Sequence, residues 1–198
     1  MSSNVKSSGA LNAEARMALN TSRGGFTILI ASQIVPFVML VNLRYILAEA
    51  YVSPSLDQAT GAVFTILFVI SAITAYAGLQ ATNRSDSKAS ARMSVLTMVL
   101  GWIALIMMGY QFWEHAFQTD GRFGEGYLVT IGAFAIYFIA SLIGLLSGKM
   151  RASRVGIDDS NRFSIGATFK FWIFLQLMWV IEQPHTVTHK FQAHQHGG

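Results

Sequence analysis

The sequence predicts an all-α integral membrane bundle of five transmembrane helices, and three observations carry that prediction. Hydrophobic residues make up 53% of the chain and charged residues only 12%, where a soluble domain carries roughly 25% charged residues. Five apolar stretches, at 26–48, 61–81, 93–117, 127–148 and 165–181, approach or exceed the about 20 helical residues that cross a hydrocarbon core of roughly 30 Å. Lysine and arginine are concentrated in alternate connections. The spans must be helical, because backbone polar groups in lipid need partners within their own segment. The alternating strands of about ten residues that mark a membrane β-barrel are missing.

The elements follow in order. Residues 1–24 are polar and lack the apolar core of a secretory signal. They read as a cytoplasmic N-terminal tail holding at most a short helix at 10–19, whose apolar face (Leu11, Met17, Ala18, Leu19) is weak. Residues 25–182 form the five-helix membrane domain, and 183–198 an outer, histidine-containing tail. Helix one contains Pro36, which removes a backbone donor in mid-helix and bends it. Arg44 near its outer end, and Lys170 near the start of helix five, can snorkel toward headgroups and contact lipid or a neighbouring subunit. The connections are short, so consecutive helices are antiparallel neighbours. No internal repeat is visible, which argues against a transporter built from two matched halves.

Orientation comes from the loops. Lys6, Arg16 and Arg23 precede helix one. Arg84, Lys88 and Arg92 lie between helices two and three, and Lys149, Arg151, Arg154 and Arg162 between helices four and five. The opposite connections, 49–60 and 118–126, hold Arg122 alone. The positive-inside rule then places the N-terminus in the cytoplasm and the C-terminus outside.

The residue inventory excludes much chemistry. There is no cysteine, hence no disulfide, thiolate metal site or thiol nucleophile. Four histidines (His185, His189, His194, His196) fall in the tail after Pro184, where a flexible outer segment is expected rather than a metal site with convergent ligands and a supporting shell. His115, at a helix terminus, is badly placed for haem within a bundle. No basic stripe suggests nucleic acid. No nucleophile–base pair appears, so no catalytic residue is assigned.

Polar residues inside a bilayer are expensive and become candidates by default. Glu114 is the foremost, with Gln111 three residues earlier on the same helical face; the carboxylate either pairs within the membrane or reaches water from the last turn. Gln33, Asn42 and Gln176 are the other strong polar candidates. Trp113, Trp172 and Trp179 suit interfacial anchoring or helix packing. Gly101, Gly132, Ala133, Ala140, Ser141 and Gly144 offer the small surfaces on which membrane helices associate.

Taken together, the helices resemble subunit III of the heme-copper oxidases in its shorter five-helix form. The run Gly109-Tyr110-Gln111-Phe112-Trp113-Glu114-His115 looks like that family's glutamine, two residues, then glutamate. Gly126-Tyr127, Gly132 and Gly144 complete that pattern. The run from Phe171 to Trp179 looks like the family's tryptophan, histidine, phenylalanine, any residue, aspartate, two apolar residues, tryptophan. Ala31-Ser32-Gln33 falls where the family has serine followed by a carboxylate. The departures share a direction: Gln33 replaces that carboxylate, Phe134 and Tyr137 stand in place of paired histidines, and Ile173 and Gln176 replace a histidine and an aspartate. Glu114 is retained.

The resemblance implies a non-catalytic component of a respiratory membrane complex in a bacterial plasma membrane. It implies no cofactor in this chain, with haem and copper in a partner catalytic subunit. It further implies a hetero-oligomer that holds phospholipid, with Gln33, Gln111, Glu114, Gly132, Gly144, Trp172, Gln176 and Trp179 as subunit or lipid contacts. Proton uptake through helix one is not implied, because Gln33 cannot titrate. The alternative is a small stand-alone transporter or channel, whose polar lining would have to come from Gln33, Asn42, Gln111 and Gln176.

Overall fold

The computed structural model describes residues 3–48, 58–116 and 121–182, which are helical apart from two turns. The helices are α1 (Ser3–Ala48), α2 (Gln58–Asn83), α3 (Ser87–Ala116), α4 (Gly121–Arg154) and α5 (Arg162–Glu182). Each holds a segment long and apolar enough to cross a membrane: Met17–Leu43, Ala59–Asn83, Ser87–Glu114, Gly124–Arg154 and Arg162–Glu182. The all-helical, five-span architecture expected from the sequence is therefore present.

The boundaries differ at helix starts. Residues 3–24, expected to be a mostly irregular tail, are helical and continuous with α1. This stretch includes the strong helix formers Ala13, Glu14, Ala15, Arg16, Met17, Ala18 and Leu19, so backbone propensity rather than an apolar face accounts for it. The helix runs through Pro36. α4 begins at Gly121 and α5 at Arg162, both ahead of their apolar segments.

Packing runs α2 on α3 and α5, α3 on α4, and α4 on α5, with α1 resting on α4 and α5. The shared core is aromatic. Phe68 stacks on Phe138 at 4.4 Å between ring centroids, and Trp179 meets Phe134 edge-on at 5.0 Å and Phe64 at 5.5 Å. Lipid tails are as apolar as these rings, so helix association here depends on close fit and interhelical hydrogen bonds rather than on the hydrophobic effect. α1 contributes Phe37 to this core, set 4.9 Å from Phe134 and 5.1 Å from Tyr137. Much of the rest of α1 faces outward, with Ile28 71%, Met39 66% and Ile46 76% exposed.

The two described turns lie at one end of the bundle and brace each other. Gly156 takes φ +82° to leave α4, a left-handed conformation that costs glycine little. The Ser87 hydroxyl then accepts from the Ile157 N–H at 3.0 Å, and the Ser85 hydroxyl accepts from the Arg162 guanidinium at 2.6 Å. The α2–α3 turn and the start of α5 are thereby fixed together.

Candidate functional site

The sequence singled out residues by type, and the structure sorts them by direction. Trp172, Trp179, Gln111 and Gln176 are all at most 2% exposed. These four were expected at subunit or lipid contacts, yet their side chains are taken up inside the chain's own bundle. The Trp172 indole N–H donates to the Ser71 hydroxyl at 3.1 Å, and Ser71 in turn donates to the Phe68 carbonyl. Trp179 repeats the arrangement further along α5, donating to the Thr65 hydroxyl at 3.2 Å. Both tryptophans thus pin α5 to α2. The Tyr127 hydroxyl donates to Gln111 Oε1 at 3.0 Å, joining α4 to α3. The Gln176 amide is enclosed with neither its oxygen nor its nitrogen hydrogen-bonded among the described residues.

The remaining candidates face outward or lie between. Glu114 is exposed, one turn beyond buried Gln111, so the two do not share an environment. Gln33 is half-buried on α1, with its amide 3.4 Å from the Ser32 hydroxyl. Gly132 and Gly144 are half-buried, and a Cβ at either would meet its nearest neighbour at 3.9 Å, an ordinary contact. The close approaches lie elsewhere: a Cβ at Gly101 would stand 2.6 Å from Trp172, and one at Gly78 would stand 2.5 Å from Phe169. The Arg44 side chain, His115 and the tail with His185, His189, His194 and His196 lie outside the described side chains.

Two features escaped the sequence reading. Glu182 at the end of α5 is only 7% exposed. A cleft of about 950 Å³ opens between α1, α2 and α5 at the end that carries the two turns. Phe163 is among its lining residues, edge-on to Phe26 at 5.9 Å, with the Arg23 guanidinium 6.0 Å and the Lys170 ammonium 5.8 Å from its ring centroid. Lys170 was noted as a snorkelling residue; its convergence with Arg23 depends on how α1 leans on α5, which no local pattern encodes.

What these residues can do chemically is pack, bind and orient. Among the described residues no group of three or more His, Asp or Glu gathers as a metal site would. The strong polar candidates do not line a shared path either. The Asn42 amide donates to the Val38 carbonyl at 2.9 Å on an exposed face of α1, Gln111 is bonded to Tyr127, and Gln176 is enclosed by the core.

Fold and site define a class: a five-span helical membrane protein with an aromatic interior. Comparison with known proteins narrows it. The chain is 25% identical over 122 residues to cytochrome c oxidase subunit 3 of Corynebacterium diphtheriae, covering 60% of this chain and 60% of that protein. It is 24% identical over 119 residues to a probable cytochrome c oxidase subunit 3 of Rickettsia felis, covering 59% and 43%. It is 23% identical over 120 residues to cytochrome bo(3) ubiquinol oxidase subunit 3 of Buchnera aphidicola, covering 59% and 58%. The chain thus spans at most 60% of the length of these relatives. No family model matches it. The chain is a distant homologue of the subunit 3 family of cytochrome c and ubiquinol oxidases.

Proposed function

We propose that this chain is a non-catalytic, subunit III-like component of a heme-copper oxidase or a related respiratory complex, in which it stabilises the catalytic subunit and holds phospholipid. The observation that carries the reading is the distant homology to oxidase subunit 3 across 119 to 122 residues of a five-span bundle. The interior agrees with a structural role. Phe134 and Tyr137 stand where the resemblance expected histidines, and both pack against Phe37. Haem and copper belong to the partner. The setting is a bacterial plasma membrane, with the N-terminus and the basic turns on the cytoplasmic side.

Burial supports one choice of contact surfaces. Gly132, Gly144, Glu114 and the outward face of α1 are available to a neighbour or to lipid, whereas Trp172 and Trp179 hold the fold that presents them. The test is purification of the tagged chain from its native membrane in a mild detergent, with the co-purifying proteins identified and their stoichiometry measured. A large haem-binding membrane subunit in near-equal amount supports the reading. A chain that emerges without partners at every mild detergent tried contradicts it.

A further inference from the structure

We infer that the outward face of α3 around Trp102 and Gly109 is a docking groove for a transmembrane helix of a different chain, one that presents a hydroxyl or carboxamide oxygen near mid-membrane. The inference rests on reading the helices as membrane spans. It adds a face to those named above and does not depend on which complex the chain joins.

Trp102 sits at an unusual depth. It lies 15 residues beyond Ser87 and 12 short of Glu114, the ends of its membrane segment, so at about 1.5 Å per residue it is about 18 Å from the nearer end. Indoles in membrane proteins gather at the headgroup level, where the N–H meets polar groups. Here the side chain is 50% exposed on the outside of the bundle, and its N–H has no acceptor among the described residues. Hydrocarbon offers none, and an unsatisfied donor in it is costly. Two other indoles of the chain show what satisfies such a group. Trp172 donates to Ser71 and Trp179 to Thr65, each time a hydroxyl on a neighbouring helix.

Gly109 lies two turns further along the same face. It is exposed, and a Cβ there would meet nothing within 4 Å. Glycine weakens a helix. Gly101 and Gly78 admit Trp172 and Phe169, whereas Gly109 makes room for no side chain of its own bundle. With Trp102 on one side and Tyr110 and Trp113 on the other, all exposed, the glycine leaves a gap into which a neighbouring backbone can settle. Close approach at small residues and interhelical hydrogen bonds are what join helices in lipid, and this face offers both.

A second copy of the chain does not supply the acceptor. A closed two-fold pair through this face sets like against like at the same depth. The Thr74–Thr97 bond aligns α2 with α3, and the Ser94 bond to the Leu145 carbonyl aligns α3 with α4. Within one turn of the level of Trp102, the exposed side chains on these helices are otherwise aliphatic, among them Val69, Ile70, Val99, Ile103, Ile136 and Ile139. The oxygen must come from another protein.

The experiment replaces Ile106, which lies between Trp102 and Gly109, with a diazirine-bearing aliphatic residue of similar size in the full chain in its native membrane. After illumination the adducts are mapped by mass spectrometry. The expected product joins position 106 to one transmembrane segment of another protein, with Ser, Thr, Asn or Gln near its middle. Trp102→Phe keeps a ring and removes the N–H, and is expected to lower the yield about threefold, the worth of an average hydrogen bond between membrane helices. Gly109→Leu fills the gap and is expected to abolish the product. Both variants are expected to unfold in detergent like wild type, since both positions face outward. Adducts with lipid alone, with a second copy, or with a segment lacking a polar side chain near its middle overturn the proposal. So does an unchanged yield in Trp102→Phe, or a yield lost together with the chain's own thermal stability. A mapped helix in a haem-free protein would keep this inference and contradict the oxidase reading. Lipid adducts alone in a chain that co-purifies with haem would do the reverse.

Discussion

Trp172 and Gly101 are made for each other: the buried indole lies so close to α3 that a Cβ at position 101 would stand 2.6 Å from its Cη2 and 2.8 Å from its Cζ2. The indole is 0% exposed and tied by its N–H to Ser71, so it cannot swing aside. Glycine at this position is what lets α3 and α5 approach.

Gly101→Ala is therefore expected to destabilise the chain. Overpacking of a well-filled interior costs about 1–3 kcal/mol, which exceeds the gain of about 1 kcal/mol from replacing a helical glycine with alanine over most of that range. Thermal unfolding in detergent, followed by circular dichroism, checks this. Gly132→Ala, where the nearest atom would be 3.9 Å away, is expected to leave the transition unchanged or raise it.

The indole hydrogen bonds set a second scale. Ser71→Ala and Thr65→Ala each remove an acceptor from a buried tryptophan, at 3.1 and 3.2 Å respectively. Hydrogen bonds between membrane helices average about 0.6 kcal/mol and reach about 1.7 kcal/mol. Each variant is expected to lose stability within that range, and the two losses are expected to add if the sites are independent.

Gln176 points the other way. An enclosed amide with no hydrogen-bond partner among the described residues carries its desolvation cost uncompensated. Gln176→Leu is expected to stabilise the isolated chain by roughly 1–3 kcal/mol. A loss of stability would mean that the amide is bonded in the folded protein and that its role is structural.

The α4–α5 turn makes a pH prediction. The Asp158 carboxyl is held below its ordinary value of 3.8, first by the Ser160 hydroxyl, then by the backbone N–H of Asn161, with further help from the Ser160 N–H and the Arg151 charge, against a small opposing effect of burial. The Ser160 hydroxyl is 2.6 Å from its Oδ1. Because the folded state prefers the carboxylate, this contribution is complete above the unfolded value. It is lost as the pH falls through the lower, folded one. Wild type should lose more thermal stability than Asp158→Asn when the pH is taken down through and below 3.8. Parallel pH profiles for the two proteins would contradict this.

The number and order of spans were legible because a run of about 20 apolar residues has one physical reading in a bilayer. The faces of those helices were not. A membrane helix is apolar all round, so periodicity cannot tell its buried side from its lipid side. Trp172 and Trp179 illustrate this. An indole is at home at an interface or in a core, and only Ser71, Thr65 and Gly101, far away in sequence, decide between them. Gln111 and Glu114 show the same limit: three residues apart on one helix, one is buried on Tyr127 and the other is exposed. Helix starts were missed where glycine or polar residues fill the first turns, as at Gly121, Gly124 and Gly126 in α4 and throughout residues 3–24 of α1. The cleft at Arg23 and Lys170 arises from contact between α1 and α5, and no local pattern signals it.

Half-buried small residues carry the association prediction. Gly132→Leu is expected to lower the amount of partner retained on purification while shifting the chain's own unfolding less than Gly101→Leu does. Retention of partner equal to wild type would remove Gly132 from the contact surface.

The most direct test of the central claim is the reduced-minus-oxidised visible spectrum of the material purified through this chain in mild detergent. The account predicts haem absorption bands that co-elute with the chain in constant proportion. A colourless, monodisperse protein would contradict it and bring the stand-alone transporter reading forward.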